Sequence, residues 1–321
     1  MNTSTAPHWL GDNNVPLVMR RVLLALIPTT LCATFYFGSG VLLNAAILIV
    51  FCLTTEAVLI RVRGRDIRQA LSDGSALVTA LLMALALPPA LPWWTLLTAA
   101  LFAIGLAKHV YGGLGQNPFN PAMVGYVTVI VAFPEQVAVW PSLLPDVDAV
   151  SGATPLDGIK MQLGQMRTMA EITAQPDFGT LAGRGWEWIN LSALAGGVWL
   201  MRKRVISWHV PGAMLATLAA LYFGFYAVAP ATHPSPILGL LSGGTMLAAF
   251  FVATDPVSGA ASNNGKIVFG VGVAILCFAM RKWGAYPDGI GFAVLIMNMA
   301  VPLIDRLTVP RVYGHKKGPG I

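Results

Sequence analysis

The sequence predicts an all-α integral membrane protein of about ten transmembrane helices. Of its 321 residues, 56 % are hydrophobic and only 11 % are charged, with a mean hydropathy of +0.68; a soluble domain is about 25 % charged. The apolar runs are long and continuous, unlike the short alternating segments of a membrane barrel. Lys and Arg divide unevenly between segments that alternate in side. The net charge of +6 is therefore a topology signal, and no nucleic-acid partner is predicted.

The first 19 residues lack the basic, apolar and cleavage-site order of a signal peptide, so the first apolar run is predicted to stay in the chain. Spans are predicted at 22–38, 40–60, 76–91, 92–107, 122–140, 189–201, 208–228, 237–253, 267–280 and 290–304, against the ~20 residues needed to cross. The Leu87-Pro88-Pro89 and Leu91-Pro92 steps divide the third span from the fourth, because proline cannot continue a helix interior. The sixth and ninth are short, which implies tilt, extension by the flanks or a break. With a cytoplasmic N-terminus, fifteen of the twenty Lys and Arg fall on inner segments. The other five (Lys160, Arg167, Arg184, Arg281 and Lys282) fall on outer ones, which puts the C-terminus inside as well. Trp93, Trp94, Trp140, Trp186, Trp188 and Trp283 lie near outer span ends.

This parse divides the chain into a five-helix half (1–140), one long outer loop (141–188) and a second five-helix half (189–321). An odd number of spans per half makes the halves run oppositely, as in an inverted repeat. Asp73-Gly74-Ser75-Ala76 at the third span and Ser242-Gly243-Gly244-Thr245 at the eighth are the paired starts that support it.

Chemistry is sparse. Cys32, Cys52 and Cys277 lie in apolar runs without CxxC spacing, and no histidine has a partner at metal-ligand spacing, so neither disulfide nor metal is predicted. The outer loop contains Asp148-Ala149-Val150-Ser151-Gly152-Ala153-Thr154-Pro155-Leu156-Asp157-Gly158. Gly152 permits an unusual turn, and Pro155 pushes Thr154 into extended backbone. The Thr154 hydroxyl is thereby offered at the outer face for modification, unless the segment is an ordinary Gly/Pro/Asp turn. Asp148 and Asp157 are solvated turn acids or groups that orient that loop. Between spans four and five, Gly112-Gly113-Leu114-Gly115-Gln116-Asn117-Pro118-Phe119-Asn120-Pro121 gives irregular backbone that must line protein or a cavity. The amides of Asn117 and Asn120 offer donors and acceptors to a ligand or simply cap the break. Glu56, Asp255 and Asp305 sit near the inner side as candidates for an ion path. Structural pairing is the alternative, Glu56 with Arg61 or Arg63 and Asp305 with Arg306; Asp255 precedes a proline and could end its helix.

Ser151-Gly152-Ala153-Thr154 resembles the flavinylation motif of the NqrB/RnfD family. Ser72-Asp73-Gly74-Ser75-Ala76-Leu77-Val78-Thr79-Ala80, the glycine–asparagine segment from Gly113 to Ala122, and Ala253-Thr254-Asp255-Pro256-Val257 also resemble family segments, in the family's order. The short N-terminus is closer to the RnfD branch. The resemblance implies a subunit of an Rnf-type complex in the bacterial inner membrane, with the 141–188 loop periplasmic. That complex moves electrons between ferredoxin and NAD and couples them to Na+ or H+ movement. It implies FMN joined to Thr154 by a phosphodiester, and a noncovalent riboflavin or second flavin near Asn117 and Asn120. Implied partners are the A, B, C, E and G types of Rnf subunit (above all the periplasmic flavin subunit RnfG), a flavin transferase during maturation, and membrane lipid. NAD and iron–sulfur chemistry fall to those partners, because this chain lacks both motifs. The rival reading is a secondary transporter or channel for a small solute, which explains broken helices but not the Ser-Gly-Ala-Thr segment.

Overall fold

The computed structural model describes residues 14–141, 151–152, 154–286 and 288–308; for Gln69, Ala70, Ser151 and Gly152 it describes the backbone alone. Ala153, Asp146, Asp148 and the two terminal tails lie outside the described residues. The first half runs α1 (Val15–Phe37), α2 (Gly40–Val62), the short α3 (Ile67–Leu71), α4 (Ser75–Ala86), α5 (Trp93–Ala100, continued as a π-helix over Leu101–Val110), α6 (Pro121–Ala132) and α7 (Pro134–Val137). A two-residue pair, β1 (Trp140–Pro141) and β2 (Ser151–Gly152), opens the loop, which then forms α8 (Pro155–Gly164) and α9 (Met169–Thr173). The second half runs α10 (Trp186–Arg202), α11 (His209–Val228), α12 (Pro236–Leu240), α13 (Thr245–Leu247, continued as a π-helix over Ala248–Val252), α14 (Asn263–Trp283) and α15 (Ile290–Thr308).

Among the described residues, six helices are long and apolar enough to cross a membrane: α1, α2, α5 with its π extension, α11, α14 and α15. Each of the other four predicted stretches contains shorter helix. The expected fifth span, 122–140, stops at Ala132 because Pro134 follows. The eighth, 237–253, is broken at 241–244. The sixth and ninth are longer than expected, at 17 and 21 residues, because polar end residues continue the helices. The chain is a multi-pass, helical membrane protein.

Local chemistry explains the helix ends. Asn14, Asn120, Thr154, Ser235 and Ser262 each accept a backbone N–H from the first turn of the helix they precede. The proline-rich link between α4 and α5 is buried, so its polar backbone needs partners. Asn44 of α2 supplies two, donating to the Pro88 carbonyl (2.7 Å) and accepting from the Leu91 N–H (3.2 Å). α1 packs on α10, α2 on α4 and α5, α11 on α14, and α14 on α15. Gly196 and Gly197 permit the close crossing at α10. A Cβ at Gly196 would lie 2.3 Å from the Ala25 carbonyl oxygen, and one at Gly197 2.2 Å from the Phe250 ring.

Candidate functional site

The cavity beside Thr154 is built from the loop inward. Gly152 pairs with Trp140, so it stands in a strand and not in the turn expected of it. Trp140, Trp186 and Phe37 form a cluster with ring centres 5.0–5.3 Å apart, which ties this strand to the ends of α1 and α10. Two residues on, Thr154 has φ −63° and ψ 154°, the extended backbone expected before Pro155. Its Oγ1 accepts the Asp157 N–H at 3.3 Å, which makes Thr154 the N-cap of α8. Behind it, the buried Glu187 carboxylate accepts the N–H groups of Leu181 (2.9 Å) and Ala182 (3.2 Å). The adjoining Gly183 presses on Pro155, so closely that a Cβ there would lie 2.3 Å from the Pro155 ring.

Thr154 is half-buried, not free at the surface. It lines a cavity of about 310 Å³ whose walls include Tyr126, Trp140, Trp186, Leu247 and Ile290, with Asp157, Asp288, Gly243 and Gly244 as the polar contribution. Small-molecule sites are commonly ~300–1,000 Å³, mostly apolar, with a few placed polar groups.

One wall is the break between α12 and α13. Irregular backbone at membrane depth is tolerated only where protein satisfies it, and here three side chains do so. Asn190 donates to the carbonyls of Leu241 (3.0 Å) and Gly243 (2.8 Å) and accepts the Met246 N–H (3.0 Å). Arg281 donates to the carbonyls of Gly239 (3.0 Å) and Ser242 (3.3 Å) and to Thr245 Oγ1 (2.9 Å). Asp288 pairs with Arg281 (3.1 Å) and accepts the Gly244 N–H (2.8 Å). Gly243 has φ +57°, and a Cβ there would lie 2.4 Å from Asp288 Oδ2. Glycine is required at that position.

A second cavity, of about 100 Å³, is lined by Ser75, Thr79, Lys108, Leu114, Asn117, Asn120 and Asp255, among others. Glu56 is buried and pairs with Lys108 and, at 3.4 Å, with His109. The expected partners Arg61 and Arg63 are not used; Arg63 instead donates to the His109 carbonyl. Lys108 also donates to Ser75 Oγ (2.6 Å), at the first residue of α4. Glu56 Oε2, His109 Nδ1 and Asn117 Oδ1 are buried without a hydrogen-bond partner.

The two asparagines differ. Asn120 is fully engaged, through the Met123 N–H, the Val252 carbonyl and Asn298. Asn117 spends its amino group on the Phe119 carbonyl (3.0 Å) and keeps its carbonyl oxygen free. Asp255 accepts from Ser258 Oγ (2.6 Å) and the Val257 N–H (3.4 Å). Burial pushes its carboxyl above the ordinary range, and these hydrogen bonds oppose that rise. Asp305 accepts the Ala261 N–H (2.9 Å), so it secures the 253–262 loop in place of the expected pairing with Arg306.

Sequence reasoning did not single out Asn190, Asp288 or Tyr126, and it took Lys108 and Arg281 only as topology markers. The one available signal was position. Each cation stands near the end of a long helix, Lys108 in the π extension of α5 and Arg281 in α14.

The NQR2, RnfD, RnfE family model matches residues 2–314. The chain belongs to this family. It is 48 % identical to the D-type subunit of the ion-translocating oxidoreductase complex of Pseudomonas aeruginosa (strain UCBPP-PA14), over 98 % of this chain and 96 % of the relative. The proteins of the same name from Ectopseudomonas mendocina and Vibrio cholerae (strain O395) are 47 % and 43 % identical, over 98 % and 97 % of this chain and 96 % and 99 % of theirs.

Proposed function

We propose that this chain is the flavin-carrying membrane subunit of an Rnf-type ion-translocating oxidoreductase complex, and that Thr154 carries FMN through a phosphodiester. The observation that carries the reading is the Thr154 hydroxyl on the wall of a cavity large and aromatic enough for a flavin ring. The donor set fits. Thr154 Oγ1 has only one long hydrogen bond to give up. It also caps a ten-residue helix, whose N-terminus favours a phosphate charge. When bound, FMN supplies one- and two-electron chemistry, which belongs to the cofactor. The chain's task is to hold it: Tyr126, Trp140 and Trp186 provide flat apolar walls that exclude water, and the 241–244 backbone and Asp288 provide polar edges. The covalent link keeps the redox centre in place where noncovalent binding would have to offset lost translational freedom.

The inner cavity, as it stands, is too small for a flavin ring. A second, noncovalent flavin at Asn117 requires the 112–116 loop to open. Gly112, Gly113 and Gly115 in that loop all have φ between +88° and +125°. Of the three acids proposed for an ion path, Glu56 alone leaves a buried oxygen without a partner. Asp255 borders the cavity and Asp305 serves the backbone.

The same reading holds ten spans in two inverted five-helix halves, both termini cytoplasmic and the 141–188 loop periplasmic in the inner membrane. Packing supports the repeat. Corresponding helices α1 and α10 meet, as do α6 and α15, while α2 on α5 mirrors α11 on α14. Ser75 and Thr245 open the corresponding helices α4 and α13, each accepting from a buried cation, Lys108 or Arg281. Electrons would enter from the RnfG-type subunit, within a complex that joins ferredoxin and NAD to Na+ or H+ movement. The solute-transporter rival accounts for the broken helices but gives the Thr154 cavity no role.

The test is fluorescence on a denaturing gel of the full chain, expressed with the flavin transferase. The unaltered protein gives a fluorescent band that survives denaturation, and Thr154→Val gives a dark band at equal abundance. Equal fluorescence from Thr154→Val overturns the assignment.

A further inference from the structure

A third cavity, of about 250 Å³, lies beside the Thr154 cavity and shares Leu156 as a wall. Its lining is apolar and aromatic, with Ile159, Leu163, Phe225 and Phe278, and it carries Lys160, Lys282 and Arg281. The Arg281 charge is met by Asp288. No carboxylate is among the described residues that line the cavity, and neither lysine has an ion pair among the described residues.

The local contacts hold both ammonium groups without neutralising them. His233 Nδ1 lies 3.0 Å from Thr232 Oγ1 and 3.1 Å from the Ala229 carbonyl, and its Nε2 lies 3.0 Å from Lys282 Nζ. The imidazole brings no negative charge and positions the lysine. Lys282 Nζ also sits 3.2 Å from the centre of the Phe225 ring, a cation–π contact that adds no anion. Lys160 donates to the Gly284 carbonyl, which ties α8 to the end of α14. Each ammonium has three N–H groups, so both retain donors beyond these contacts. Two half-buried cations sharing one apolar cavity are unfavourable unless an anion joins them.

We propose that this cavity binds the headgroup phosphate of an anionic phospholipid, with Lys160 and Lys282 on the phosphate and an acyl chain along Leu163, Phe225 and Phe278. A lipid fits better than a free anion, because most of the lining is apolar. The site also lies beside the exposed Tyr226 and Trp283, residue types that mark a membrane interface. The proposal stands apart from the flavin, since none of its ligating groups is Thr154.

The test is native mass spectrometry of the full chain titrated with phosphatidylglycerol, phosphatidylcholine or inorganic phosphate. Both lipids carry the phosphate, but the choline cation of phosphatidylcholine would stand against Lys160 and Lys282, so the expected result is phosphatidylglycerol retained about tenfold more strongly than phosphatidylcholine. That preference should disappear in Lys160→Gln/Lys282→Gln and persist in both Lys160→Arg/Lys282→Arg and Thr154→Val. Equal retention of the two lipids by the unaltered protein overturns the proposal, as does a preference that survives the glutamine variant. Inorganic phosphate displacing phosphatidylglycerol at equal concentration would make this a free-anion site and overturn the lipid assignment. Loss of the preference in Thr154→Val would assign the anion to the attached flavin and also overturn it. Should the glutamine variant not fold, the competition between lipids on the unaltered protein decides the matter.

Discussion

Beside the Thr154 cavity a buried cation near the end of α14, Arg281, donates to the hydroxyl that opens α13; beside the Asn117 cavity Lys108, near the end of the α5 π extension, does the same for α4. The two ends differ in what is left over. Arg281 finds two carbonyls, a hydroxyl and a carboxylate, and Asp288 uses both its oxygens. Lys108 has one carboxylate oxygen and one hydroxyl, while Glu56 Oε2, His109 Nδ1 and Asn117 Oδ1 stay unpartnered. A covalently held ligand needs walls and an attachment point, so its site can use up its own polar groups. A noncovalent ligand or ion must find free hydrogen-bonding capacity; Asn117 Oδ1 offers it on the wall of the smaller cavity, with Glu56 Oε2 and His109 Nδ1 nearby, whereas the 241–244 break leaves Ser242 Oγ.

The largest expected effect breaks the comparison at its cations. Glu56→Ala leaves Lys108 buried with one hydroxyl acceptor and should cost about 3–5 kcal/mol, the usual result of orphaning a buried charge. Asp288→Ala leaves Arg281 three acceptors and should cost clearly less. Thermal unfolding in detergent measures both, and equal losses would remove the distinction between the two ends. Gly183→Ala comes next. Its Cβ would collide with Pro155, forcing a shift at a cost of about 1–3 kcal/mol and moving Thr154 off the cavity wall. Covalent flavin should fall several-fold while extractable flavin stays constant.

The two asparagines sharpen the inner half. Asn120→Ala removes a helix cap and should cost about 1 kcal/mol, visible as a lower melting temperature with little change in affinity for extractable flavin. Asn117→Ala should do the reverse, depleting extractable flavin at nearly unchanged stability.

The smallest effect is in pH. The folded Asp255 carboxyl titrates above its unfolded value of about 3.9, because burial disfavours its charge. The folded state therefore binds this proton more tightly, so the group's contribution to stability declines as pH rises from about 4 through the folded value. Asp255→Asn should flatten that part of the stability profile and raise the melting temperature at neutral pH. An unchanged slope would show that the carboxyl is not raised.

Much of this was legible in the sequence, because hydropathy and proline report directly on helix position. The Leu87–Pro92 break, the extended Thr154 and the paired starts at Ser75 and Thr245 all follow from local residue chemistry. What stayed hidden depends on contacts distant in sequence. Glu56 meets Lys108 across 52 positions, Arg281 meets Thr245 across 36 and Asn190 meets Met246 across 56. No local pattern marks such pairs. Proximity misled for the same reason: Arg61, Arg63 and Arg306 were the nearest charges in sequence, but helix geometry points Glu56 and Asp305 elsewhere. The span ends at Ala132 and Leu240 were missed because the apolar run continues past the break, so hydropathy alone could not register a turn held by Asn190, Arg281 and Asp288.

Peptide mass spectrometry of the native complex tests the central claim most directly. The peptide containing Thr154 should carry the mass of FMN less one water, with fragmentation placing it on Thr154. An unmodified Thr154 peptide, from cells in which the flavin transferase modifies another of its substrates, would contradict the account.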